Sequence, residues 1–346
     1  MRELYRVGRR VHAARSFVAS ASVSPGWLPP RPCRPIMGLN SGVDAAPSPI
    51  LPMDRREFLR ATVSGTTGML MAERLAIAAA SHTDSEAPVP LGRTVKATRL
   101  GFGTGMAGGG RQSNQTRLGP EKLERLLQYA YDQGVRLFDM ADLYGTHRYV
   151  ARALRGKPRD SYTLVTKIWL HPGGLPERER PDADVCLARF LKEFGTDYFD
   201  VVQLHCLMSG TWPREMRRQM DLLAERKRKG DLRAHGASIH SLAALEAAAA
   251  EPWVDVIHAR VNKYESRTDG PMEKVVPVLN RAHAAGKGVI AMKVCGEGTF
   301  DARQRAENLR FIMGLDCIDA MVIGFEKPEH IAEFRSGVRE QLAASR

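Results

Sequence analysis

Cysteine is scarce and scattered in this 346-residue chain: Cys33, Cys186, Cys206, Cys295 and Cys317, with no Cys-x-x-Cys among them. An odd count at wide spacing excludes a metal knuckle or an iron–sulfur module and argues against a disulfide framework. Single buried thiols are the expectation. Long apolar runs are missing too: Ala61 to Ala72 is mildly apolar but too short for a transmembrane span. The densest basic run, Arg226-Lys227-Arg228-Lys229, has no aromatic residues interleaved and precedes Gly230. It reads as a helix C-terminus, where cations suit the dipole and glycine ends the helix. No nucleic-acid partner is expected. The formal net charge of +12 does not change this, because residues 1–60 hold ten Arg and four Asp or Glu, half of the excess. The stretch Gly105 to Gly110 lacks the context of a G-x-G-x-x-G dinucleotide turn and reads as a flexible loop. No Ser or Cys stands beside a base as a nucleophile. No His-x-His or carboxylate cluster marks strand ends, so no metal site is expected.

What is present is the composition of a soluble globular protein, 43% hydrophobic and 26% charged. Residues 1–52 are rich in Arg, Ser, Pro and Ala without a period, and no packed structure is expected there. Met53 then opens a different text, Met53-Asp54-Arg55-Arg56-Glu57-Phe58-Leu59-Arg60, followed by a weakly apolar run and by Ala76 to Ala80. Residues 53–84 resemble a twin-arginine export signal, which implies transient use of that machinery and a periplasmic or otherwise extracytoplasmic destination. Met53 is then the expected start, and residues 1–52 a misassigned upstream extension. The folded domain is expected over residues 85–346.

From there apolar strand-like runs alternate with helix-like periods. A short hairpin and a first strand are expected within Leu91 to Thr104. Later strands are expected at Val135–Phe138, at Tyr162–Lys167, and from Phe199 to Leu204. The rest are placed at Leu232–Ala237, Val254–Ala259, Gly288–Met292 and Ala320–Ile323. Helices fall between them, at about 120–133, 146–154, 183–194, 214–229, 242–250, 272–285, 302–313 and 328–337. Eight βα units in about 250 residues predict a single-domain α/β protein, a (β/α)8 TIM barrel with the hairpin capping it. Ser241 is the expected N-cap of the helix it precedes.

Active sites in such barrels sit at the C-terminal ends of the strands. Asp139, Lys167 and His205 stand at three consecutive strand ends, and Tyr144 lies in the loop above the first. Singly, each has a bland reading, such as a capping Asp or a surface Tyr. Together, on one rim, they form a set. A buried Lys ammonium needs a counter-charge, which Asp139 supplies. Lys167 beside Tyr144 would lower the phenol's pKa, and a phenol so tuned can give a proton to a carbonyl oxygen. Neutral His205 could orient that oxygen. Such a set supplies a proton but no hydride, so a cofactor must bring it.

The motifs LGRT–RLGFGT at 91–104, GVRLFDMADLYG at 134–145, LVTK at 164–167 and GTDYFDVVQLH at 195–205 resemble those of the aldo-keto reductases. The resemblance covers about residues 90–335. It implies a catalytic tetrad at Asp139, Tyr144, Lys167 and His205, and a nicotinamide cofactor, NADPH or NADH, across the barrel mouth. It further implies reduction of aldehydes or ketones, or the reverse, on a small carbonyl or alcohol substrate. Cofactor contacts would fall on Gly103, Thr104, Ser238, His258, Met292, Lys293, Gly324, Phe325, Lys327 and His330. Several depart from the family pattern. Ile239 stands where an Asn pairs with the Ser, His258 replaces a Gln, and Met292 replaces a stacking aromatic. Gly324 and Phe325 take the places of Lys and Ser, and His330 that of an Arg. Discrimination in favour of NADPH is therefore expected to be weak. The sequence ends soon after the last helix, so an open mouth is expected. A nucleotide-binding sensor or subunit with little turnover is the alternative.

Overall fold

The computed structural model describes residues 87–345. Residues 1–52, expected to be an upstream extension, and residues 53–84, expected to be an export signal with Arg55 and Arg56, lie outside the described residues. Chain entry is an antiparallel hairpin, β1 (Val89–Leu91) and β2 (Val95–Ala97). Eight parallel strands follow: β3 (Leu100–Gly103), β4 (Leu137–Asp139), β5 (Thr163–Ile168), β6 (Phe199–Leu207), β7 (Leu232–Ile239), β8 (Val256–Arg260), β9 (Gly288–Met292) and β10 (Ala320–Ile323). They close in sequence order, with β10 returning to pair with β3. This is the expected (β/α)8 barrel.

The helices form because each connecting segment carries one apolar face and a stop signal. In Pro120–Asp132 the proline occupies the first turn, and Leu123, Leu126, Leu127 and Ala130 are buried. Helix Ala183–Phe194 ends at Gly195, whose φ of 75° is the left-handed conformation a glycine accepts without strain. Ser241 accepts from the Ala244 amide, as expected of a cap, and Asp301 and Gln304 form a capping box before Ala302–Met313. Most strand boundaries shift by one or two residues, and three differences are larger. β6 runs on to Leu207, the 214–229 helix is two helices broken at Met216, and the last helix continues to Ala344. Among the described residues no helix is long and apolar enough to cross a membrane.

Inward-facing residues fill the barrel in layers. Leu137, Val165, Val201, Ala234, Val256 and Ile290 form an apolar floor with Leu91, Val95 and Ala97 of the hairpin. The hairpin is fastened there: Thr163 Oγ1 donates to the Lys96 carbonyl at 2.7 Å, and Arg93 donates to that of Ala285 at 2.9 Å. Polar side chains sit above this floor, toward the C-terminal ends.

Candidate active site

Asp139 closes β4, Lys167 is the fifth residue of β5, and His205 is near the end of β6. Tyr144 ends a single 3-10 turn, Asp142–Tyr144, just after β4. The structure brings the four together. Lys167 Nζ donates to the Asp139 carboxylate, and both side chains are almost wholly buried. The same ammonium lies 5.6 Å from the Tyr144 ring centroid. Tyr144 OH is 3.3 Å from His205 Nε2, with the two rings perpendicular. Thr104 holds the first wall in place: its hydroxyl and its amide both donate to the Asp139 carbonyl, at 2.7 and 3.0 Å.

Burial dominates the electrostatics. It raises the pKa of Asp139 and lowers that of Lys167, each opposed by the partner's charge. Tyr144 is raised far above the usual phenol range, first by burial, then by Asp139 and Cys206. The expected lowering by Lys167 does not emerge; burial and the Asp139 carboxylate set the direction. His205 is driven well below the usual imidazole range by burial and by Lys167, so it is neutral. At neutral pH the site thus presents a protonated phenol beside an uncharged imidazole.

A second group lies deeper. Ser238 and His258 are cross-strand neighbours on β7 and β8, both fully buried. Ser238 Oγ and His258 Nε2 have no hydrogen-bond partner among the described residues. His258 Nδ1 is 3.2 Å from Gln203 Oε1 and 3.9 Å from Asp139 Oδ1. Gln203 escaped the sequence reading, although its place two residues before His205 puts it on the same inward face. Unpaired polar atoms in a buried layer are costly unless a ligand or water meets them.

A cleft opens at the C-terminal ends of β3, β9 and β10. Gly103, Asp139, Tyr144, Met292, Lys293, Gly324 and His330 all line it. Ser238, His258, Thr104, Phe325 and Lys327 do not. Phe325 is fully buried, its ring edge-on to Phe102 and Phe334 in the helix layer, so only its main chain is available to a ligand. Lys327 is exposed at the head of the last helix. Arg305, missed in the sequence, lines the cleft instead, and Glu333 occupies its Nε and Nη2 at 2.7 and 3.0 Å. Lys293 is ion-paired with Glu297, which also meets Arg267.

The glycine-rich stretch is not loose. Gly105 lines the cleft against Tyr144, Met106 N donates to Gln115 Oε1, and Arg111 N donates to the Leu143 carbonyl. All seven non-glycine residues with left-handed φ among the described residues lie on this rim: Ala107, Arg111, Cys206, Glu265, Arg267, Lys293 and Glu297. Such strain gathers where the surrounding structure holds a site in shape.

A model of the aldo/keto reductase family matches residues 99–331. A probable aldo-keto reductase 1 from Glycine max is 25% identical over 231 residues, 64% of this chain and 63% of that protein. The match therefore spans less than two thirds of that relative's length. A putative aldo-keto reductase structure from Pseudomonas aeruginosa is similar with a TM-score of 0.62 at 23% identity, covering 75% of this chain and 98% of the other. An aldo-keto reductase from Klebsiella pneumoniae, solved with NADP and acetate, gives 0.57 at 17% identity, covering 74% and 93%.

Proposed function

The chain belongs to the aldo/keto reductase family, and we propose that it transfers hydride between a nicotinamide dinucleotide, NADPH or NADH, and a small carbonyl compound or its alcohol. The observation that carries this is the pairing of Tyr144 OH with His205 Nε2, 3.3 Å apart, above the Lys167–Asp139 pair. The residues also fit the cofactor. Unpaired Ser238 Oγ and His258 Nε2, buried outside the cleft lining, suit a carboxamide that reaches them, Met292 offers an apolar surface, and Lys293, paired with Glu297, suits a pyrophosphate that displaces that carboxylate. The Klebsiella pneumoniae relative holds NADP. When bound, a reduced nicotinamide supplies the hydride that no side chain here can.

The chain's own residues do the rest. Tyr144, kept protonated by burial, donates its proton to the carbonyl oxygen as charge builds there. Neutral His205 holds that oxygen within reach of the phenol. Lys167 lies close enough to stabilise the resulting phenolate, and Asp139 keeps the ammonium in place. For alcohol oxidation the proton moves the other way. The test is aldehyde-dependent loss of nicotinamide absorbance with the purified protein. Tight cofactor binding without turnover of any aldehyde or ketone would favour a sensor instead.

Residues 53–84 are proposed to direct export through the twin-arginine route. Lys replacement of Arg55 and Arg56 should retain a reporter fusion inside the cell, and unaffected export would remove that route.

A further inference from the structure

Arg260 ends β8, two residues beyond His258 on the same inward face. It pairs in register with Met292, which lines the cleft. Its side chain is 17% exposed and that of its partner, Asp269, 0%. The way they join is unusual for an arginine with only a structural task. Asp269 Oδ1 accepts from Arg260 Nε at 2.7 Å, while Oδ2 accepts from the Arg260 main-chain amide at 2.8 Å. The carboxylate therefore grips one edge of the guanidinium and spends its second oxygen on the backbone. Neither Nη nitrogen donates to any described residue. The planar end of the fork, which suits a second carboxylate, is unspent.

Arg260 is not among the residues lining the cleft; it stands beside it, at the strand end next to Met292. The charge of Arg260 acts on His240, beyond β7, and on Cys206, in β6. The His240 ring lies 6.5 Å from that of His205, which meets Tyr144 OH. His240 is held down to about 3 by burial and then by Arg260, Lys167 and His171, so it adds no competing charge. Burial pushes the Asp269 carboxyl up to about 7 against the pull of Arg260. The other cations of the site, Lys167, Lys293 and Arg305, are ion-paired with Asp139, Glu297 and Glu333 in turn. In the closed strand order β8 stands opposite β4, so Arg260 ends the strand across the barrel from the one that leads into the Tyr144 turn.

We propose that Arg260 takes an anionic group of the substrate, and that the carbonyl compound reduced here carries a carboxylate several bonds away from its carbonyl. A 2-oxo acid, with the two groups adjacent, would not span from Tyr144 to Arg260; an ω-oxo acid or a carboxylated aromatic aldehyde would. This rests on the reductase reading above.

The test compares 4-carboxybenzaldehyde with benzaldehyde, using the full chain and NADPH. The wild type should favour the charged aldehyde. In Arg260→Met the kcat/KM ratio of charged to neutral aldehyde should fall about tenfold or more, mostly through KM, and Arg260→Lys should recover part of it. Because Arg260→Met strands Asp269, the double variant Arg260→Met/Asp269→Asn is measured beside it and should show the same fall. Calorimetry with 4-carboxybenzyl alcohol reads the subsite without turnover and should show weaker binding in both variants. An unchanged ratio in the folded double variant would overturn the assignment while leaving the reductase reading intact. So would a loss confined to NADPH affinity, which would give the cation to the cofactor. Arginine-dependent binding of the alcohol with no turnover of either aldehyde would instead sink the reductase reading alone.

Discussion

The ring of Tyr144 fills the space that a β-carbon on Gly105 would need: its Cε2 and Cζ atoms lie 2.1 and 2.2 Å from that position. Gly105→Ala should therefore push the phenol off His205. We expect kcat to fall by about tenfold or more, since small misplacements of a reacting group are costly, with a smaller change in the cofactor Kd. Steady-state kinetics beside fluorescence titration would check it, and an unaltered kcat would mean that the loop yields instead.

Tyr144→Phe removes the proton donor and leaves the ring. Carbonyl reduction should drop by about a hundredfold or more, while dinucleotide binding persists. Near-normal turnover would take Tyr144 out of the mechanism.

Asp139→Asn leaves the Lys167 ammonium buried without its counter-charge. Stability should fall by about 3–5 kcal/mol, read from denaturant unfolding. The double variant Asp139→Leu/Lys167→Met should lose less, although it too is inactive. Equal losses in the two would show that the pair adds nothing as a pair.

Asp255, at the opposite end of the barrel, gives a pH signature. Burial alone would raise its pKa, but His235 and Lys227 outweigh that and hold it down to about 2. A carboxyl depressed in the folded state stabilises it above the unfolded pKa near 4 and loses that contribution as pH falls toward 2. Asp255→Asn should cost about 1–2 kcal/mol at neutral pH and flatten the acid limb between about pH 4 and 2. Parallel acid limbs for both proteins would assign that limb to other groups.

NADPH should be preferred over NADH by less than about tenfold. Lys327 does not line the cleft, and the guanidinium of Arg305 is held by Glu333. Glu333→Gln should free Arg305 and increase the preference, more so at low salt. Dissociation constants for both cofactors at two ionic strengths decide this. A hundredfold preference in the wild type would place the 2′-phosphate on other residues.

The barrel was legible because each strand is a short apolar run and each helix carries its own start or stop, as at Ser241 and Gly195. Asp139, Lys167 and His205 could be read because they follow directly on such runs. Gln203, Arg260 and Arg305 could not, since their roles depend on register and on which partner already holds them. Nor could the state of Tyr144, where depth of burial outweighs the nearby ammonium. Phe325 shows the converse: alignment placed it at the cofactor, whereas packing against Phe102 and Phe334 takes its ring into the core.

The hairpin and its apolar floor make the barrel a vessel with one opening. Tyr144 meets solvent in the cleft at the mouth, which a bound dinucleotide would cover. The phenolic proton should then exchange freely in the empty protein and slowly in the loaded one. The solvent isotope effect on a single turnover would then report the solvent present before the cofactor bound, not the solvent added afterwards.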